Sequence, residues 1–218
     1  KVFPCWFGSA LKLDGVVELL QGIGRYAVQP LYPQEFGAKV FKIARDHQGV
    51  RLTYLKVTGG SLRVKALLTN RRPGGRKTAG PLWEEKADQL RLYSGPQYRL
   101  AETVPAGEVC AVAGLSHTYP GQGLGVEPEA SVPLLEPVLS YQVLLPEGTN
   151  IHTALRQLGQ LEEEDPQLHI TWDETAREIR FQLMGQVQLE VLRRLIWERF
   201  GLEAAFGAGS VLYKETIL

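Results

Sequence analysis

Apolar positions recur along this chain with two different periods, and each period predicts a different kind of element. Val2 to Phe7 reads as a short strand, followed by Gly8-Ser9-Ala10 and a helix from Asp14 to Ile23. Val16, Leu19, Leu20 and Ile23 fall on one helical face. Asp14 is the expected N-cap, because its carboxylate can accept from the free amides of the first turn. One strand and one helix cannot close a core, so this stretch reads as the end of a larger domain. Gln29-Pro30-Leu31-Tyr32-Pro33 is a linker, since its prolines lack amide donors and fix φ.

Beyond the linker the period falls to two. Ala38 to Ile43 alternates. Arg51 to Thr58 does the same, with Leu52, Tyr54 and Lys56 on one face and Thr53, Leu55 and Val57 on the other. Ser61 to Leu68, Trp83 to Leu92 and Glu108 to Ala113 bring the strands to at least five. Asp46-His47-Gln48-Gly49, Gly59-Gly60 and Pro105-Ala106-Gly107 supply turns. Short strands in succession with no helix between them predict a barrel or sandwich. Ser116 to Ser131 reads as loop and then linker.

The last third mixes both periods. Tyr141 to Leu145 is a strand, and Asn150 to Leu161 a helix with Ile151, Ala154, Leu155 and Leu158 on one face. Asp165-Pro166 stops it, because the residue before proline is pushed out of the α region. Leu168, Ile170 and Trp172 alternate, a turn follows at Asp173-Glu174-Thr175, and Ile179, Phe181 and Leu183 alternate again. Val187 to Phe200 is a second helix, with Leu192, Leu195, Ile196 and Arg199 along one stripe and Gly201 at C′. A short strand near Glu203 to Phe206 completes β-α-β-β-α-β, the split βαβ or ferredoxin-like arrangement. The predicted divisions are 1–28, 29–131, 132–210 and 211–218.

Composition adds limits. The chain has 218 residues, 44% apolar and 22% charged, which allows one large or two small globular domains. Lys+Arg and Asp+Glu are 24 each, which excludes a generally polybasic protein but leaves room for a local patch. Arg71, Arg72, Arg76 and Lys77 form such a patch around Pro73-Gly74-Gly75. It is either a solvated hairpin end or a finger that grips phosphates. The acidic run Glu162-Glu163-Glu164-Asp165 sits where the helix dipole disfavours anions, and is expected to be a solvated end. Cys5 and Cys110 are no disulfide framework, so a reducing cytoplasm is expected. The four histidines lack zinc spacing, and no metal site is expected. No apolar run approaches the ~20 residues of a membrane span. The single methionine is Met184 and the first residue is Lys1, so the chain is expected to be a processed or excised piece.

Three apparent motifs yield to simpler readings. Gly74-Gly75-Arg76-Lys77-Thr78 has Arg76 where a P-loop needs glycine. Asp46 to Gly49 fits D-x-x-G but lies between alternating strands, where a turn is needed. Gly121-Gln122-Gly123-Leu124-Gly125 has no helix after it. RNA recognition by the split βαβ unit would require exposed aromatics on its central strands, and Phe181 is expected in the core instead.

Taken together, the segments resemble a translational GTPase of the elongation factor G type across essentially the whole chain. Gly8-Ser9-Ala10 before a helix is similar to the last guanine-nucleotide motif of that family's G domain, with Leu11 where the family often has lysine. Phe41-Lys42-Ile43, Asp46, Gly49, Leu52 and Gly60-Ser61-Leu62 resemble its second domain, as do Pro105 to Glu108 and Gly114-Leu115. Glu136-Pro137-Val138, Leu155, Leu158, Glu163 to Pro166 and Gly185 to Glu190 resemble its third, and Glu215-Thr216 the entrance to its fourth. Leu183-Met184-Gly185-Gln186-Val187-Gln188-Leu189-Glu190 is similar to the tetracycline-resistance ribosomal-protection branch.

The resemblance implies a translation-factor β-barrel followed by a ferredoxin-like domain, hence a multidomain β plus α+β fold. It implies a parent protein that uses GTP and magnesium on the ribosome and protects it from tetracycline. Ser9, Ala10 and Leu11 would be the nucleotide-contacting residues. Arg71, Arg72, Arg76 and Lys77 would meet small-subunit rRNA, and the third domain ribosomal protein. The chain lacks both G-x-x-x-x-G-K-[ST] and N-K-x-D. Alone it is therefore expected to carry no catalytic residue, to bind no GTP tightly, and to be monomeric and cytoplasmic. The alternatives are an elongation factor G-type translocase or related ribosomal GTPase and, in another class, a free-standing RNA-binding or assembly module.

Overall fold

The computed structural model describes residues 3–28, 30–71, 81–130 and 135–212. The chain divides into two units, Lys1–Tyr32 and Pro33–Leu218, parting within the proline-containing linker.

The first unit contains one helix, α1 (Val16–Tyr26). It starts two residues later than the periodicity predicts. Asp14 is not its cap: Gly15, at φ 73°, holds that position in a left-handed conformation that glycine adopts without steric cost. The Asp14 carbonyl instead accepts from Ser9 N–H at 2.9 Å, closing a tight turn. The expected strand is not present over residues 3–7, because a strand needs a neighbour to pair with and the described residues of this unit offer none. Val2 lies outside the described residues. Trp6 packs directly on Gly22, where any Cβ would collide with its indole, and its ring lies 6.1 Å from that of Tyr26.

The second unit opens with an all-antiparallel β region. Its strands are β1 (Gly37–Arg45), β2 (Arg51–Gly59), β3 (Ser61–Arg63), β4 (Leu67–Thr69), β5 (Glu84–Lys86), β6 (Gln89–Ser94), β7 (Gln97–Ala101), β8 (Thr103–Pro105), β9 (Val109–Ala113) and β10 (Gly123–Gly125). Six of them form one sheet in the order β10-β1-β2-β9-β6-β7, while β3 pairs β8 and β4 pairs β5. One core fills the space between them, with Val40, Leu55, Leu62, Leu90, Val112 and Leu124 all buried. This is the expected barrel-type domain.

Three details differ from the alternation. The strand expected over Ser61 to Leu68 is two strands. At Lys65 (φ 64°) the chain turns a corner, and its N–H leaves the ladder for the Ala87 carbonyl at 2.7 Å. The strand expected over Trp83 to Leu92 breaks at the facing corner, where Ala87 N–H returns to the Ala66 carbonyl at 3.0 Å. The loop expected over Ser116 to Ser131 contains β10, whose glycines are required by close approach. A Cβ on Gly123 would strike the Glu127 carbonyl, and one on Gly125 (φ 62°) the Phe36 carbonyl. Asp46 to Gly49 is a turn as expected: Asp46 Oδ1 accepts from Gln48 and Val50 N–H, each at 2.9 Å.

The second sheet holds β11 (Leu139–Leu144), β12 (Thr171–Asp173), β13 (Glu178–Leu183), β14 (Ala205–Phe206) and β15 (Ser210–Val211), with α2 (Ile151–Glu164) and α3 (Gln186–Phe200) between strands. The order β12-β13-β11-β14, with a helix in each crossover, is that of the split βαβ fold. Asn150 caps α2 by accepting from Thr153 N–H at 3.1 Å, and Gly201 at φ 61° closes α3. Phe181 is fully buried and meets Phe206 edge-on at 6.0 Å, so it is core as expected. Leu168 lies in a 3₁₀ turn (Pro166–Leu168), not in the strand expected to include it, because Asp165 caps that turn at Gln167 N–H. Val211 pairs with Leu139 of β11, so the sheet reaches past residue 210, and 213–218 lie outside the described residues. Among the described residues no helix is long and apolar enough to cross a membrane.

Candidate functional site

The acidic run at the end of α2 is not a solvated end. Each of its side chains has a fixed partner. Glu162 Oε1 accepts from Ile170 N–H at 2.9 Å, and Glu164 Oε1 from Arg199 Nη1 at 2.7 Å. Glu163 Oε2 accepts from both Arg45 Nη2 and Arg51 Nε, each at 3.0 Å. Those arginines bracket the β1–β2 turn, so one carboxylate ties α2 to the barrel. The unfavourable dipole at a helix C-terminus is overcome by two guanidiniums.

Arg51 is itself anchored to the barrel. Its Nη1 donates to the Leu115 carbonyl at 2.7 Å and to Thr118 Oγ1 at 3.0 Å, and its Nη2 to the Thr118 carbonyl at 2.6 Å. Thr118 and Thr53 hydroxyls meet at 2.6 Å in the buried space behind it. The charges are 112 or more positions apart in sequence, which is why spacing alone did not pair them. Replacing Glu163 by glutamine is expected to cost about 1–2 kcal/mol, two charge-assisted bonds discounted because the carboxylate stays partly in solvent. Urea unfolding measures it, with a double-mutant cycle against Arg51→Met. Coupling below about 0.3 kcal/mol would show two screened charges in place of a joint.

The basic loop begins at Arg71, which is exposed, while Arg72, Arg76 and Lys77 lie outside the described residues. Its neck is well built. β4 and β5 pair on either side of it. Buried Asn70 spans the gap, donating to the Pro81 carbonyl at 2.9 Å and accepting from Trp83 N–H at 3.0 Å. Thr69 Oγ1 donates to the Trp83 carbonyl at 2.7 Å and accepts from Arg71 N–H at 3.1 Å. The neck is thus a hairpin with side-chain crosslinks, and it fixes where Arg71 leaves the barrel.

Ser9, Ala10 and Leu11 sit in the tight turn before α1. The Ser9 hydroxyl accepts from Lys12 N–H at 3.3 Å, while Ala10 and Leu11 are exposed. Lone backbone groups of this kind could meet a base edge, but they form no cradle for phosphates. Among the described residues no group of three or more His, Cys, Asp and Glu is placed to hold a metal ion. Burial pushes the Cys110 thiol up to about 12, with Glu108 adding to it, so it serves as a core side chain and not as a nucleophile.

A further cluster, Glu85, Ser116 and His117, anchors the loop after β9. Glu85 accepts from Ser116 N–H at 2.9 Å, from the Ser116 hydroxyl, and from His117 N–H at 3.2 Å. Burial opposes its charge, but these donors outweigh it and hold the carboxyl below its ordinary range. Glu85 and Ser116 both contact Nδ1 of His117, so the three form a knot and no relay.

Comparison with known proteins places these features. Residues 134–208 match the family model for elongation factor G, domain III. Over its whole length the chain is 27% identical to the mitochondrial ribosome-releasing factor 2 of Drosophila erecta, covering 32% of that protein. It is also 27% identical to elongation factor G 1 of Bdellovibrio bacteriovorus, with 100% of this chain and 34% of the relative covered. A crystal structure of a Thermus thermophilus protein shares the fold, with a TM-score of 0.66 and 24% identity over 88% of this chain and 29% of that one. The chain spans about a third of the length of the curated relatives it matches. By these comparisons residues 134–208 are similar to domain III of elongation factor G, and the chain along its whole length is similar to elongation factor G and ribosome-releasing factor 2 proteins.

Proposed function

We propose that this chain is the central, ribosome-engaging segment of a translational GTPase. In this reading residues 1–28 end the nucleotide-binding domain, 29–131 are the barrel domain, 132–210 the third domain, and 211–218 lead toward a fourth. The observation that carries it is the match of 134–208 to elongation factor G domain III, on a sheet with split βαβ order. The Glu163 tie supports a mechanical role, because it joins the third domain to the barrel through one carboxylate held by two arginines.

GTP and magnesium belong to the parent protein. The residues here do not fit a complete nucleotide site: the chain contains neither G-x-x-x-x-G-K-[ST] nor N-K-x-D, and Ser9 is committed to its own turn. No step of hydrolysis is assigned to this chain, and micromolar GTP binding to it by calorimetry would contradict that.

Two finer readings remain. The segment Leu183 to Glu190 supports protection from tetracycline. Similarity over the whole chain to elongation factors G and ribosome-releasing factor 2 supports a factor that moves or releases ribosomes. The second is better supported, because Gln188 in the short motif has a folding duty. Its Oε1 accepts from Met184 N–H at 2.9 Å and its Nε2 reaches Asp165 Oδ2 at 3.5 Å, closing the start of α3. Expressing the parent protein in a tetracycline-sensitive bacterium is expected to leave the inhibitory concentration unchanged. A rise would restore the protection reading.

The basic hairpin is the proposed contact with small-subunit rRNA backbone. Replacing Arg71, Arg72, Arg76 and Lys77 together by alanine is expected to weaken ribosome binding. It is also expected to lower the slope of log affinity against log salt by about 3, as four phosphate contacts are lost. Unchanged co-sedimentation would make the cluster a solvated hairpin end.

A further inference from the structure

The outward face of the six-stranded sheet carries a row of aromatic rings that the core and the basic hairpin leave unused. Its origin is a β-bulge. Pairing between β1 and β2 slips between Val40 and Lys42, so both Phe41 and Lys42 point outward where plain alternation would send one inward. Phe41 then lies 6.4 Å from Tyr54 on β2, and Lys42 Nζ sits 5.6 Å from the Tyr54 ring centre. The neighbouring strand, β9, presents only Ala111 opposite Tyr54, and that small side chain lets Tyr54 reach Tyr93 of β6 at 5.7 Å. Tyr93 meets Tyr98 of β7 at 5.3 Å. Four strands thus supply one continuous row.

The row is open on top and braced beneath. Phe41, Tyr93 and Tyr98 are 50%, 36% and 48% exposed, too much for core residues of this size. Arg91 lies buried below, 4.5 Å from the Tyr98 ring centre and held by Asp46 at 2.8 Å. Burial, with Tyr93 alongside, pushes the Tyr54 hydroxyl up to about 12. Charge on the strands of this face has one sign, and the Asp46 carboxylate beneath the row is paired with Arg91. The strands that build it, β1, β2, β6, β7 and β9, contain lysine and arginine but no aspartate or glutamate, in a chain whose total charge is zero.

We propose that Phe41, Tyr54, Tyr93 and Tyr98 form a stacking platform for unpaired RNA bases, with Lys39 and Lys42 placed for the phosphates. Sequence-tolerant binding of single strands combines these two elements, base stacking on rings and cations along the backbone. A duplex hides its base faces and cannot use the rings. An acidic protein segment would satisfy the lysines but would leave the aromatic row without planar partners. The proposal rests on the ribosomal reading and deepens it by naming the form of RNA that the barrel takes.

Fluorescence anisotropy tests it, using a labelled mixed-sequence single-stranded RNA of about 12 nucleotides and the matching duplex. The single strand is expected to bind at least about tenfold tighter. Tyr93→Ala and Tyr98→Ala are each expected to weaken it about tenfold, Tyr98→Phe to retain it, and Lys42→Gln to lower the salt slope by about 0.7. Circular dichroism confirms that the variants are folded. Equal affinity for duplex and single strand, or alanine variants that bind like the parent chain, would overturn the platform, as would absence of binding. Ribosome co-sedimentation is run beside it. If ribosomes are retained while the oligonucleotide is not, the platform fails and the ribosomal reading stands. If the ring variants lose binding only to isolated ribosomal protein, the face is a protein contact and the proposal is wrong.

Discussion

Replacing Asp46 by alanine is expected to destabilise the barrel by about 3–5 kcal/mol, the usual cost of leaving one charge of a buried pair alone. Arg91 is 5% exposed and its Nη1 donates to Asp46 Oδ2 at 2.8 Å. Its Nε and Nη2 go to Gln89 Oε1 at 3.2 and 3.0 Å, so no second carboxylate stands ready to take over. The same Asp46 holds the Gln48 and Val50 amides of the β1–β2 turn. Asp46→Ala/Arg91→Met together is expected to recover much of the loss, because an apolar pair needs no partner charge. Urea unfolding provides the measurement, and a loss below about 1 kcal/mol for the single variant would mean that water reaches Arg91. The pH dependence has a definite sign. The hydrogen bond from Arg91, helped by the turn amides and opposed by desolvation, holds the Asp46 carboxyl below its ordinary value of 3.8. Its contribution is full above that value and disappears as pH falls through the lower folded pKa. Asp46→Ala should therefore flatten stability in the acid range below pH 3.8.

The second large effect is in the split βαβ sheet. Phe181→Ala is expected to cost about 3–5 kcal/mol, the lost transfer energy plus the cavity left behind. Phe181 is completely buried at the centre of β13, in register with Tyr141 and edge-on to Phe206. Phe181→Leu should cost much less, because it keeps most of the volume. Had this phenylalanine been a base-stacking residue on an open face, alanine would leave stability within about 0.5 kcal/mol. Thermal or urea unfolding separates the two outcomes.

Phe181 was legible because a strand's period of two is local information, and the apolar face of β13 alternates without interruption. The split βαβ order was legible for the same reason, as were the Asp165-Pro166 stop and Gly201. Features that depend on distant neighbours were not. The corners at Lys65 and Ala87 interrupt two predicted strands, and each is set by a backbone bond to the other. The bulge at Phe41 depends on the partner strand. Asp14 fits every local rule for an N-cap, yet Gly15 takes that place because the chain reverses at Ser9.

Charge was the least legible. Glu162 to Asp165 looks solvated in one dimension, and only folding brings Arg45, Arg51 and Arg199 to it. The basic hairpin shows the opposite limit, since its cluster is evident in the sequence while the structure describes only Arg71 and the neck. The aromatic row had no signal of its own, because its rings are spread from position 41 to position 98. The lack of acidic residues in strands β1, β2, β6, β7 and β9 could have drawn attention to that face.

The central claim is that this chain engages the ribosome through its barrel and third domain. The most direct measurement is sedimentation of the purified chain with isolated small and large ribosomal subunits over a range of salt. The account predicts that the chain pellets with small subunits, that binding falls as salt rises, and that it is independent of GTP. Absence from both subunit pellets at low salt would contradict it, and so would binding that is insensitive to salt.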